Sequence, residues 1–83
     1  MENIWLEAQS NISKVLTPQT FDTWIKPIRF LTLKTNQIFL EVPNKFVKEW
    51  VEEKYLPMIQ EAISSLTGVR FQVEFKVSDK VQG

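Results

Sequence analysis

The sequence predicts one α+β domain with element order α-α-β-β-α-β, a three-stranded sheet carrying its helices on one face. Three observations carry that prediction. Apolar residues recur at three- and four-residue spacing over residues 3–16 and 45–67, the period of a half-buried helix. Residues 69–77 alternate strictly instead: Val69, Phe71, Val73, Phe75 and Val77 face one way and Arg70, Gln72, Glu74 and Lys76 the other, the period of a strand with one wet face. Pro18, Pro27, Pro43 and Gly68 punctuate these segments where chain breaks are needed.

The first helix, residues 3–16, places Ile4, Trp5, Ala8, Ile12, Val15 and Leu16 on one side, with Asn3 as its expected N-cap. Thr17 and Pro18 restart the chain, because Thr caps and Pro suits the first helical position, where its missing N–H costs nothing. The second helix, residues 18–26, turns Phe21, Trp24 and Ile25 to one side and stops before Pro27, which disfavours helical geometry in its predecessor. Residues 28–33 and 38–42 read as strands; the second alternates less cleanly, around Phe39 and Glu41. Residues 34–37 form the hairpin turn between them, with Asn36 the residue tolerant of positive φ. Asn44 is expected to cap a long helix, residues 45–67, which Pro57 should kink or break through the clash of its ring with the Glu53 carbonyl. Gly68 stands where a left-handed C-terminal cap is wanted. Residues 1–77 form the domain, and 78–83 read as a tail or the start of a linker.

Composition narrows the function. The 83 residues carry ten acidic and ten basic side chains, so the net charge is zero, without the basic excess expected of a domain built to hold nucleic acid. There is no Cys and no His, which removes thiolate nucleophiles, imidazole chemistry, disulfides and the usual zinc sites. Glu49, Glu52 and Glu53 cluster at the start of the long helix, where a solvated face favoured by the dipole is the better account than a metal or acid pair. With glycine only at 68 and 83, no phosphate-cradling loop is available. We therefore expect neither an enzyme nor a bound cofactor. No apolar run approaches the roughly 20 residues that span a bilayer, and the first residues lack a signal-peptide pattern, so a cytoplasmic protein is expected.

The order α-α-β-β-α-β resembles KH-type folds, which hold RNA through a Gly-x-x-Gly loop that this chain does not have. Lys45, Lys48 and Lys54 lie on one side of the long helix but are interleaved with acids, which allows at most a weak single-stranded DNA contact. The aromatics say more. Periodicity turns Trp24, Trp50, Phe71 and Phe75 inward, as core. Trp5 and Phe46 stand at the margins of their apolar stripes, where the pattern does not choose between packing and partner contact.

Two segments carry a resemblance to a family. Residues 16–28, LTPQTFDTWIKPI, resemble the LSPQTFETWLKPL-like stretch of DnaA initiators, and residues 42–50, VPNKFVKEW, with Lys54-Tyr55-Leu56, resemble that family's APNxFVxxWxxxxY segment. Strand 71–75 is similar to the family's closing strand, so the resemblance covers residues 1–77. It implies the amino-terminal domain (domain I) of an initiator: a KH-like fold without the glycine loop, placed ahead of a linker, an ATPase module and a carboxy-terminal origin-binding helix-turn-helix module. ATP, magnesium and origin DNA would belong to those missing modules. The implied partners of this domain are the replicative DNA helicase, initiation regulators and other copies of the initiator. By the same resemblance, Trp5 stands at a self-association position, Asn44, Lys45 and Phe46 in an Asn-x-Phe element for helicase or regulator contact, and Thr20 at a helicase-contact position that is acidic in some relatives. Pro57 departs from the family pattern.

Overall fold

Helix α1 spans Glu2–Ser13 in the computed structural model, which describes residues 2–78. Asn3 therefore lies inside the helix and not ahead of it. Ala8 and Ile12 face the core, with Trp5 one turn earlier on the same side. After a turn, Thr17 accepts the Thr20 N–H on its Oγ1 at 3.2 Å and caps the short helix α2, Pro18–Thr20, as its sequence demands.

The second predicted helix changes character halfway. Residues Phe21–Ile25 form a π-helical turn, closed by the Lys26 N–H donating to the Phe21 carbonyl at 2.9 Å. Its end is held from outside. Gln9 Nε2 donates to the Ile25 carbonyl at 3.1 Å, and the Ile28 N–H reaches the same oxygen at 3.0 Å, because Pro27 supplies no donor.

Strands β1 (Arg29–Leu33) and β2 (Gln37–Val42) form the expected antiparallel hairpin, closed by the Lys34 N–H on the Gln37 carbonyl at 2.8 Å. Among the described residues only Gly68 has positive φ, so Asn36 makes its turn in ordinary backbone geometry, contrary to the expectation. Register slips between Phe30 and Thr32, a bulge that leaves Leu31 as the extra residue. β2 alternates more regularly than its sequence suggested: Ile38, Leu40 and Val42 are buried, and Gln37, Phe39 and Glu41 face the other way.

Pro57 breaks the long helix in two. Helix α3 runs Lys45–Lys54 and α4 runs Leu56–Thr67, with Tyr55 between them at φ −120° and ψ −5°. Gly68, at φ 75°, caps α4 and returns its N–H to the Ser64 carbonyl at 2.8 Å, so that one glycine performs the role predicted for it. The α3–α4 crossover lets β3 (Gln72–Val77) pair parallel with β2, from Gln37 opposite Gln72 to Val42 opposite Val77. The mixed sheet has order β1-β2-β3. Phe71, Val73 and Phe75 are buried as predicted, but Val69 and Val77 are exposed, since the paired strand starts three residues later than its alternation. Ser78 is tied down, its N–H donating to the Val42 carbonyl at 2.8 Å; the rest of the expected tail lies outside the described residues.

One core results. The inner sheet face (Ile38, Leu40, Val42, Val73, Phe75) meets Trp5, Ala8 and Ile12 of α1, Val47 and Val51 of α3, and Ile59 and Ile63 of α4, with Ile25 and Ile28 closing one side. Each such side chain contributes about 1.5–3 kcal/mol when fully buried.

Candidate functional site

Three aromatic rings meet at the surface where the π-helical turn lies against the start of α3. Trp24 and Trp50 stack with centroids 5.2 Å apart and planes at 22°. Phe46 completes the group, 6.0 Å from Trp24 and 6.5 Å from Trp50. These are favourable ring geometries, worth about 0.5–1.5 kcal/mol a pair beyond the area they cover. Yet the cluster is wet: Phe46 is 65% exposed and Trp50 37%. Lys54 Nζ lies 5.4 Å from the Trp50 ring, the polar end of a stripe that reads Phe46, Trp50, Lys54 at four-residue spacing.

Local sequence builds this shelf. Asn44, in extended backbone, accepts the Val47 N–H on its Oδ1 at 2.9 Å and fixes where α3 begins, hence where Phe46 projects. Its amide nitrogen has no partner among the described residues and stays exposed. Val47 and Val51 anchor the adjacent stripe of α3 in the core, leaving Phe46 and Trp50 at its edge. Lys45 pairs weakly with Glu49 at 4.0 Å and Lys48 with Glu52 at 3.2 Å, so these acids serve a solvated helix face.

The residues singled out in the sequence fall into three places. Asn44, Lys45 and Phe46 stand together at the start of α3, beside the shelf. Thr20 is half-buried one turn ahead of Trp24, its N–H and hydroxyl both engaged with the Thr17 hydroxyl. Trp5 does not join them. It is 2% exposed and its Nε1 donates to the Ile28 carbonyl at 3.0 Å, which corrects the expectation of a half-covered ring. A first-turn Trp becomes buried here because the loop after Pro27 offers it a carbonyl acceptor, satisfying its N–H away from water.

Trp24 and Trp50 were expected in the core and are not. Two apolar stripes run side by side on α3, and a ten-residue helix with one neighbouring sheet buries only one of them. The signal was present: the 46–50 stripe continues to a lysine, whereas the 47–51 stripe continues to Tyr55. Gln9, which holds the end of the π-helical turn, has no sequence pattern that announces it.

Fold and surface together define a class: a small α+β module, its three-stranded mixed sheet covered by helices on one face, with an aromatic shelf rather than a cleft as its distinctive surface. Residues 2–65 match the family model described as the DnaA N-terminal domain. The chain belongs to that family. It is 70% identical over 81 residues to the chromosomal replication initiator protein DnaA of Geotalea uraniireducens, 55% over 82 residues to that of Geobacter metallireducens and 30% over 80 residues to that of Thermodesulfovibrio yellowstonii. These alignments cover 98%, 99% and 96% of the chain but only 18% of each relative. Among solved structures, the fold is similar to a chain of the crystal structure of a HobA–DnaA (domain I–II) complex from Helicobacter pylori. The TM-score is 0.77 at 17% identity, covering 93% of this chain and 99% of that one.

Proposed function

We propose that this chain is a protein-docking module of a chromosomal replication initiator, serving helicase recruitment, regulator docking and self-association rather than catalysis. The observation that carries the reading is the exposed Trp24–Phe46–Trp50 shelf, because large rings half open to water are the residue type that anchors protein interfaces. Membership of the initiator family supports it, and so does a structural neighbour solved in complex with a second protein. ATP, magnesium and origin DNA are then handled by parts of the initiator outside the fraction matched here.

In this mechanism Phe46 inserts into an apolar pocket on the partner, Trp24 and Trp50 form the flat surface beneath it, and the Asn44 amide and Lys45 supply polar contacts at the rim. One such patch is small and binds weakly. Several initiators assembled at an origin raise the effective concentration, so that helicase is retained only where initiators have gathered. Thr20 is neutral, so its share of the contact rests on shape and hydrogen bonding. The test is binding of the cognate replicative helicase to wild type and Phe46→Ala by calorimetry. Loss of a central aromatic anchor costs about 2 kcal/mol or more, roughly thirtyfold in affinity. Equal affinities for both proteins would overturn the reading.

A second reading, weak contact with single-stranded DNA, is favoured by one feature of the outer sheet face. There the Phe39 ring has Lys34 Nζ at 5.8 Å and Lys76 Nζ at 6.0 Å, a stacking platform with two cations. Two phosphate contacts give a salt slope of about −1.4 for a single strand. Oligonucleotide binding with no salt dependence, or unchanged in Phe39→Ala, would remove this second reading.

A further inference from the structure

An open groove of about 580 Å³ runs between α1 and α4. Ile12 and Val15 line one wall, and Pro57, Met58 and Ala62 the other. It takes no part in the aromatic shelf. Val15 follows the end of α1, held by its N–H on the Ile12 carbonyl at 2.9 Å, and is 69% exposed, the most exposed large apolar side chain among the described residues. The groove therefore comes with an apolar knob at its own rim. Its charges are also matched: Lys14 precedes Val15 on the α1 wall, Glu61 lies on the α4 wall, both are exposed, and neither makes an ion pair among the described residues.

Knob, groove and opposite charges on opposite walls make a self-complementary surface. A two-fold axis running along the groove sets the α1 wall of one copy against the α4 wall of the other. Each Val15 then enters the other copy's groove, and each Lys14 faces the Glu61 of the other copy, so one pair of residues is satisfied twice. We infer that the α1–α4 groove docks a second copy of this chain. The inference deepens the self-association part of the reading above and rests on it. It also moves the contact away from Trp5, whose ring is committed to the core.

The test is sedimentation equilibrium of the 83-residue chain, whose core is continuous within itself. Circular dichroism checks the fold of every variant: Val15→Glu, Lys14→Glu, Glu61→Lys and the Lys14→Glu/Glu61→Lys exchange. The expected result is a concentration-dependent dimer in wild type, weakened about tenfold or more by Val15→Glu and several-fold by each single charge reversal. The double exchange restores wild-type affinity to within about twofold, as coupled partners do. A dimer unchanged by the exposed charge reversals would place self-association elsewhere and overturn the groove alone. A monomer at millimolar concentration would overturn both the groove and self-association by this chain. Groove shifts in that monomer on adding helicase would give the groove to a different occupant.

Discussion

Replacing Trp5 with Phe asks whether this residue acts on partners directly or through the fold. Trp5 is buried, and its Nε1 donates to the Ile28 carbonyl at 3.0 Å. Phenylalanine keeps an aromatic ring in place but removes the N–H. A hydrogen bond of this kind contributes about 1 kcal/mol net, and a buried carbonyl left without a partner costs about 1–3 kcal/mol. Gln9 Nε2, at 3.4 Å from the same oxygen, is too long to compensate fully. The missing part of the indole leaves a small void in addition. A loss of about 2–3 kcal/mol follows, a large share of the roughly 4–12 kcal/mol available to a chain of 83 residues. In a domain this size each kcal/mol moves Tm by about 4–8 °C, so the melting point should fall on the order of 10–20 °C. Thermal and urea melts followed by circular dichroism read this directly. A shift under about 3 °C, together with abolished self-association, would refute the argument and restore Trp5 as a contact residue.

Other perturbations separate capping from contact. Asn44→Ala removes the bond to the Val47 N–H and should cost about 1 kcal/mol, whereas Asn44→Asp keeps the cap, so melts should distinguish them. If Asn44 also touches a partner through its amide nitrogen, both variants lose affinity and only the first loses stability. Gly68→Ala should cost about 1–2 kcal/mol from left-handed backbone alone, because an added Cβ meets nothing within 4 Å; a neutral result in chemical denaturation would contradict the αL cap. Phe46→Ala should leave Tm nearly unchanged, since most of that ring is already in water.

Much of the fold was legible because its local signals agree with one another. Thr17-Pro18, Asn44 and Gly68 mark three helix boundaries by mechanisms that need only a few neighbouring residues, and Pro57 splits the long helix for the same reason. What was not legible depends on contacts distant in sequence. The π-helical turn is stabilised by Gln9, sixteen residues from the carbonyl it serves. Trp5 is buried because Ile28, twenty-three residues on, offers a carbonyl. The start of β3 is set by where β2 ends its pairing, not by the reach of its own alternation. The aromatic shelf shows the same limit in the site. Periodicity marks Trp24 and Trp50 as apolar and facing α3 or its neighbour, but only the packed arrangement reveals that Val47 and Val51 fill the available core first.

The central claim is that the Trp24–Phe46–Trp50 shelf receives the partner. Nuclear magnetic resonance titration of the isotopically labelled chain with the cognate replicative helicase tests it most directly, because the two surface indole N–H signals and the Asn44 side-chain amide report on the shelf separately from Trp5. The account predicts shifts concentrated at Trp24, Asn44, Phe46 and Trp50, absent in a Phe46→Ala variant that keeps its folded spectrum. Shifts that survive Phe46→Ala, or that gather on another face while these signals stay still, would contradict it.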